Sequence, residues 1–260
     1  VKEIVGIGHL SVIPIRLEPS DKAEIGSQLL FGELFTSSKL TEDNKWMYIE
    51  TVFDEYLGWI DAKQFKEVSR EFYDTYKNSP SPLSIGLMGL VKGEKEVFPI
   101  LMGSTLPLFK NNCFRIDDLY YEFEGEYSYP QQAGAEAIEK TARYYLHSPY
   151  LWGGKTHFGI DCSGFVQQVF KLNGYALPRD SYQQAEIGRL ISYDERIPGD
   201  LAYFNNVLGR VVHVGIILPS EKIIHASGKV RIDRLEENGI FNEDKGTFTH
   251  KLASIRRVLR

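Results

Sequence analysis

The chain has 260 residues, of which 43% are apolar, and its formal net charge is −5. This length is sufficient to bury a core and to form two or three compact modules. The acidic balance, with charges of both signs interspersed, argues against a basic surface for nucleic acid or anionic lipid. No apolar run approaches the roughly 20 residues of a membrane span. The sequence therefore predicts a globular protein with a solvated, mildly acidic surface.

The N-terminal part of the chain reads as short strands separated by turns. Strands are predicted over residues 8–14, 28–35, 46–50 and 57–60, and the polar turn at 41–44 suits a small β-barrel. Apolar residues at helical spacing predict a helix over 64–77, which the proline-containing segment 78–82 ends. We therefore expect a first SH3-like barrel over 1–68 and a helical linker over 69–82.

A second strand-rich stretch covers residues 83–128, with strands predicted over 97–102, 106–109 and 120–123, and it predicts a second small barrel. Cys113 lies among Phe109, Phe114 and Ile116 and is expected to be buried packing. The only other cysteine is Cys162. Two cysteines are too few for a disulfide framework or a cysteine-rich zinc site, so we expect no metal.

The last stretch, residues 129–260, has a different pattern, in which helices precede strands. A helical stripe runs over 138–146, and a second helix is expected to follow Cys162 and to end at Asn173-Gly174. Strands are predicted over 200–204, 211–218, 222–226 and 230–235. Helices followed by a meander of strands indicate an α+β domain.

Cys162 is the candidate nucleophile. Asp161 is a good helix N-cap, which places Cys162 in the first helical turn, where free N–H groups and the helix dipole favour a thiolate. The candidate base is His213, which strand alternation places on the same face as Gly215. His225, on the adjacent predicted strand, is positioned to orient the His213 ring. A purely structural Cys162 stays open at this point, as do four other histidines as the base: His9, His147, His157 and His250.

Several spaced motifs occur in one order along residues 131–260: Pro149-Tyr150-Leu151-Trp152-Gly153-Gly154, Gly159-Ile160-Asp161-Cys162-Ser163-Gly164-Phe165, Leu177-Pro178-Arg179-Asp180-Ser181 with Gln184, Pro198-Gly199-Asp200-Leu201, His213-Val214-Gly215-Ile216 and Ile224-His225-Ala226. This set resembles the NlpC family of bacterial cell-wall cysteine peptidases. The resemblance implies a papain-like fold with Cys162 as nucleophile and His213 as base. It also implies His225 as the polar third member, Tyr150 beside the oxyanion, and no metal or organic cofactor.

The N-terminal half resembles a bacterial SH3-type domain in Arg16-Leu17-Glu18-Pro19, Gln28, Gly32-Glu33, Trp46 and Tyr56-Leu57-Gly58-Trp59-Ile60. Barrels before an NlpC-type domain are similar to the γ-D-glutamyl-L-diamino-acid endopeptidases. Those enzymes cleave peptidoglycan stem peptides with a free N-terminal L-Ala between γ-D-Glu and the diamino acid. The first barrel is implied to close one end of the cleft, so that only such short peptides fit.

The same resemblance implies a set of substrate contacts. Asp180 matches the acid that binds the free ammonium, although Asp180-Ser181 also suits a cap of the next short helix. Ser163 and Ser181 match the γ-D-Glu pocket, and Asp161 and Trp152 lie in neighbouring positions. From the barrel, Glu24 and Tyr56 are implied, with Glu18 or Glu33 as alternative acids.

Two other functions are compatible with the sequence. One is an endopeptidase or amidase on intact cell wall that uses the barrels as wall-binding modules. The other is an inactive protein that binds wall fragments, against which the intact set of Cys162, His213 and His225 argues. A monomer fits the sequence, and both a cytoplasmic location and export with a removed leader are compatible with it.

Overall fold

The computed structural model describes residues 3–259. The chain divides into two compact units, with the division between Pro130 and Gln131. The finer division of the first unit into a barrel, a linker and a second barrel stays a prediction. Among the residues described, no helix is both long and apolar enough to cross a bilayer.

The first unit begins with one antiparallel sheet of seven short strands. In chain order they are β1 (Ile4–Gly8), β2 (Val12–Arg16), β3 (Ile25–Leu30), β4 (Leu34–Leu40), β5 (Trp46–Thr51), β6 (Leu57–Asp61) and β7 (Phe65–Glu67). The spatial order is β3-β2-β6-β5-β4-β1-β7. Alternate apolar side chains point to one face and form a core of Ile13, Ile15, Leu29, Phe35, Met47, Ile49 and Ile60. These short strands and this core suit the small barrel that the sequence predicts.

Three predicted elements of this region were wrong in their bounds. Residues 8–14 form two strands, because the chain turns between β1 and β2. Residues 28–35 are interrupted at Gly32, whose φ of 80° is a turn conformation. Residues 65–67 are strand rather than helix, because they pair with β1 and the ring of Phe65 packs on Phe35. The helix starts only after Ser69, whose side chain accepts a hydrogen bond from the backbone N–H of Phe72.

The rest of the first unit consists of α1 (Arg70–Lys77), β8 (Leu83–Ser84), β9 (Met88–Lys92), β10 (Val97–Leu101), β11 (Cys113–Ile116), β12 (Leu119–Glu124) and β13 (Tyr127–Ser128). A four-stranded antiparallel sheet has the order β10-β9-β12-β11, and β13 pairs with β8. The strand predicted over 106–109 is absent, since the chain turns there at Leu108, whose φ is 47°. Cys113 is exposed, not buried as expected. In β11 the side chains of Phe114 and Ile116 alternate into the core, which directs Cys113 to solvent.

The second unit places its helices before its main sheet. Its elements are α2 (Ala135–Tyr144), β14 (Lys155–Thr156), β15 (Gly159–Ile160), α3 (Cys162–Leu172), α4 (Ser181–Gln184), β16 (Arg189–Ile191), β17 (Leu201–Asn205), β18 (Val211–Leu218), β19 (Lys222–Ser227), β20 (Lys229–Glu236), β21 (Gly239–Asn242) and β22 (Thr247–Arg257). The sheet order is β16-β22-β17-β18-β19-β20-β21, and β21 also pairs with β22. Six strands thus close on themselves, and α3 packs against β18. The expected α+β, papain-like class is confirmed, while β16, β21 and β22 were not predicted.

Gly32 allows the turn between β3 and β4 to lie against the backbone of Thr105. A Cβ at this position would lie 1.9 Å from the carbonyl oxygen of Thr105. We therefore expect Gly32→Ala to lower the free energy of unfolding by about 1–3 kcal/mol, from left-handed strain and this contact with backbone. Chemical denaturation measures the loss. Gly86→Ala in the same unit is the matched control, since its Cβ would meet its nearest atom at 3.5 Å. Equal stability of both variants would contradict this account.

Candidate active site

The nucleophile candidate sits at the start of α3. The Asp161 carboxylate accepts a hydrogen bond of 2.7 Å from the backbone N–H of Gly164, so Asp161 is the N-cap that the sequence predicts. Cys162 is therefore in the first helical turn, and its side chain is buried. Its thiol donates toward the carbonyl oxygen of Val212 at 3.9 Å and is also hydrogen-bonded by the backbone of Val214. The sulfur thus lies against the backbone on both sides of His213.

A buried ion pair holds this helix start in place. The guanidinium of Arg179, which is 1% exposed, donates to both Asp161 oxygens at 2.6 and 3.0 Å and to Ser163 Oγ at 2.9 Å. Asp161 also accepts from the backbone N–H of Gly153 at 2.8 Å. Because a buried carboxylate is costly without such partners, Arg179 is a requirement of the site. Sequence reasoning gave Arg179 no role, and its place in the quoted motif was the only signal.

Helix α4 is tied to the same helix start. The side-chain N–H of Gln184 donates to the carbonyl oxygen of Ser163 at 3.1 Å and to that of Pro178 at 2.8 Å. Asp180 is the N-cap of α4, and its backbone N–H donates to the Gln183 side chain at 3.3 Å. The capping alternative for Asp180 thus holds in the structure. It leaves Asp180 and Ser181 directly after the arginine that binds Asp161.

Two histidines and an aspartate form a hydrogen-bonded row on neighbouring strands. His225 pairs with Gly215 across β18 and β19, and a Cβ on Gly215 would lie only 2.9 Å from the His225 Cβ. This close approach brings His213 Nε2 within 2.8 Å of His225 Nδ1. His225 Nε2 is in turn 2.9 Å from Asp233 Oδ2 on β20. Asp233 was missed by the sequence reasoning, although strand alternation places it on the same face as Arg231.

The ionisation of this site differs from the sequence expectation. Burial raises the pKa of the Cys162 thiol to about 12, and Asp161 adds to this, against the hydrogen bonds from Val214 and Ser163 and the charge of Arg179. Burial, with His225 and His250 nearby, holds the pKa of His213 well below its usual value. Both shifts favour a neutral thiol and a neutral imidazole in the resting site. Burial thus acts against the thiolate that the helix terminus is expected to favour.

Tyr150 and Trp152 precede this helix. The backbone N–H of Tyr150 donates to the carbonyl oxygen of Gly228 at 3.0 Å. Burial, Cys162 and Asp161 together raise the pKa of Tyr150, so its hydroxyl stays protonated and able to donate. Trp152 is mostly exposed.

The two barrel residues lie in the first unit. Glu24 is exposed just before β3, and the hydroxyl of Tyr56 lies over Gly26. The roles assigned from sequence to these side chains and to those of the second unit stay predictions.

The alternative histidines have other surroundings. His9 bonds Tyr121 in the first unit, and the ring of His157 stacks on Tyr145 at 3.8 Å. The backbone of His147 bonds Val230. The ring of His250 stacks on His213 with centroids 4.2 Å apart, and Thr249 Oγ1 is 2.9 Å from its Nδ1. Of these four rings, only that of His250 contacts the row.

A cysteine in the first turn of a buried helix, lying against a histidine-bearing strand of a closed antiparallel sheet, defines a papain-like cysteine peptidase. The model of the NlpC/P60 family matches residues 147–247, and that of the bacterial dipeptidyl-peptidase Sh3 domain matches residues 15–65. The chain belongs to the NlpC/P60 family and is a cysteine peptidase.

Similar proteins agree with this assignment. The γ-D-glutamyl-L-lysine dipeptidyl-peptidase of Bacillus subtilis (strain 168) is 31% identical over 220 residues, covering 78% of this chain and 72% of the relative. The protein of the same name from Bacillus cereus is 31% identical over 74% of this chain and 63% of its own length. The crystal structure of an NlpC/P60 family protein from Bacillus cereus ATCC 10987 has a TM-score of 0.83 and covers 98% of this chain and 100% of its own. At 20% identity it shows the fold.

If His213 is the base, the neutral Cys162 thiol needs it to react. In a Cys113→Ser background, which removes the exposed thiol, we expect His213→Ala to slow alkylation of Cys162 at pH 7 by about 100-fold. The rate is followed by mass spectrometry with iodoacetamide. His157→Ala is the matched control and tests an alternative base. Equal slowing by both variants, or by neither, would contradict the assignment.

Arg179→Met removes the cation and leaves the buried Asp161 carboxylate. We expect the second unit to lose about 3–5 kcal/mol of unfolding free energy. In the double variant Asp161→Asn, Arg179→Met, the neutral amide keeps a capping oxygen, so its loss should be smaller than that of Arg179→Met alone. Denaturant titration followed by circular dichroism measures both. A double variant no more stable than Arg179→Met would rule out charge burial as the cause.

Proposed function

We propose that this peptidase hydrolyses peptidoglycan stem peptides that carry a free N-terminal L-Ala, and that it cuts between γ-D-Glu and the following diamino acid. The observation that carries the proposal is the Arg179 bridge, because it fixes the acidic residue Asp180 next to the helix that starts with Cys162. The relatives named γ-D-glutamyl-L-lysine dipeptidyl-peptidase and the match to a dipeptidyl-peptidase Sh3 domain support the same substrate class.

The reaction would start from the neutral pair. His213 takes the proton of Cys162 as the sulfur attacks the carbonyl carbon of γ-D-Glu. The tetrahedral oxyanion forms at the start of α3, where backbone N–H groups and the protonated hydroxyl of Tyr150 are the available donors. His213 then gives its proton to the leaving amine of the diamino acid. A water molecule, deprotonated by the same ring, hydrolyses the thioester and restores the thiol.

Recognition of the free amine is assigned to Asp180. An ammonium group loses its hydration on binding and needs an anionic or carbonyl partner in exchange. Asp180 is half-buried and its position is fixed through the backbone by the α4 cap. Ser163 and Ser181, both buried, are assigned to the γ-D-Glu part of the peptide. Glu24 and Tyr56 of the first barrel are proposed as further substrate contacts.

Cleavage of L-Ala-γ-D-Glu-diaminopimelate against its N-acetylated form tests this proposal. We expect hydrolysis of the free-amine peptide alone and no hydrolysis by Cys162→Ala. Asp180→Asn should raise KM by about 10-fold or more with a smaller effect on kcat, because a charge-assisted bond worth about 1.5–3 kcal/mol is weakened in the bound peptide. Liquid chromatography of the products gives both constants.

The same assay separates the rival functions. Equal cleavage of both peptides would keep the nucleophile but remove amine recognition. Activity on whole cell wall with no cleavage of either peptide would indicate a wall endopeptidase or amidase. Binding of wall fragments without any turnover would indicate an inactive binding protein.

A further inference from the structure

In the row of His213, His225 and Asp233, each hydrogen bond has a defined donor and a defined acceptor. We propose that Asp233 is a positioning residue that fixes the tautomers of His225 and His213, so that Nδ1 of His213 is left without a proton and can accept the one from Cys162. The expected effect on peptide cleavage rests on the proposed function, whereas the expected tautomers do not.

The direction begins at Asp233, because a carboxylate has no proton to donate. Burial acts to raise the pKa of Asp233, but hydrogen bonds from His225 and Arg231 outweigh it and hold the pKa below its usual value. Arg231 Nη2 donates to Asp233 Oδ1 at 2.8 Å, and Arg231 Nε is 2.8 Å from Oδ2. Asp233 Oδ1 is thus an acceptor of the arginine, and the ionised carboxylate carries no proton at Oδ2. The proton in the 2.9 Å contact with His225 must therefore be on His225 Nε2.

The positions of the other protons follow from the two ring nitrogens of an imidazole. A neutral ring that carries its proton on Nε2 has an acceptor at Nδ1. His225 Nδ1 is 2.8 Å from His213 Nε2, so His213 must donate there and carries its own proton on Nε2. Its Nδ1 is then the acceptor. Both rings are neutral in this state, because burial lowers the pKa of His213 and, against the raising effect of Asp233, that of His225.

The neighbouring groups do not reverse the donors and acceptors in the row. His250 stacks on His213 face to face, and its Nδ1 is directed to Thr249. Arg231 extends outward to Asp244, an exposed carboxylate 2.8 Å away. Among the residues described, Asp233 is therefore the acceptor at which the row ends.

An amide at position 233 should exchange the donor and the acceptor in each hydrogen bond of the row. Its oxygen has to accept from Arg231 Nη2 at the position of Oδ1, which leaves the NH₂ group at the position of Oδ2, toward His225 Nε2. His225 then carries its proton on Nδ1 and donates to His213, whose proton moves to Nδ1, the nitrogen proposed to accept the proton of Cys162. An aspartate-to-asparagine change of this kind is known to inactivate a histidine base by imposing the wrong tautomer, at little cost in geometry.

The first test is made on the unmodified chain. With ¹⁵N-labelled histidine, long-range ¹H–¹⁵N spectra at pH 7.5 distinguish protonated from unprotonated ring nitrogens. We expect protonated Nε2 and unprotonated Nδ1 on both His213 and His225. A protonated Nδ1 on either ring would overturn the proposal, whether or not any variant folds and whether or not the peptide is the right substrate.

The second test compares Asp233→Asn with Asp244→Asn, which makes the same chemical change on the outer side of Arg231. For Asp233→Asn we expect the His213 tautomer to change, Cys162 alkylation to slow at least 10-fold in the Cys113→Ser background, and kcat to fall about 100-fold with KM little changed. Asp244→Asn should keep the tautomers and stay within about threefold of the parent rate.

The outcomes separate a positioning role from a structural one. A slower Asp233→Asn enzyme with unchanged tautomers would reduce Asp233 to a structural residue and overturn the proposal, as would a full rate. Slow alkylation and the changed tautomer in a protein that never cleaves the peptide would support the positioning role while rejecting the proposed substrate.

Discussion

The carboxylate of Asp161 is the contact on which the arrangement of the second unit depends. It caps α3, accepts the backbone N–H of Gly153 from the segment that carries Tyr150, and binds Arg179 from the segment that carries Asp180. Three separate stretches of the second unit are thus held by one carboxylate. Because the charge is buried, each partner also offsets its desolvation, so the site and the stability of the fold share one set of contacts.

A second constraint is the register of β18, β19 and β20. His225 is opposite Gly215, two residues from His213, and Asp233 is opposite Ile223, two residues from His225. Neighbouring members of the row are therefore related by the same diagonal offset across a strand pair. An imidazole side chain can span the distance between two such positions. Gly215 permits the first step, because any side chain there would meet His225. A slip of one residue would turn every member of the row to the other face.

Local signals were enough to predict the helix start at Cys162, the pairing of His213 with His225 and the α+β class. Asp161 before a helical stripe and alternation in two neighbouring strands both act within a few residues. Arg179 and Asp233 were missed, because a charged residue in a loop or strand is ordinarily solvated and only the fold shows that these two are buried. Cys113 was misassigned since its apolar neighbours in sequence take the inward positions of β11. The long β22 was missed because much of it is polar and its pairing partners are distant in sequence.

These constraints explain how a thiol with a raised pKa can belong to a hydrolytic site. Desolvation disfavours an isolated thiolate and an isolated imidazolium alike, which favours a resting state with neither. When the proton moves from sulfur to His213, the two charges appear together and next to each other, and the new imidazolium faces a row that ends in a carboxylate. The carboxylate and the histidines of the row are already in place, and they lower the energetic cost of separating the charges. Chemistry in such a site needs an acceptor of fixed orientation more than it needs a preformed anion.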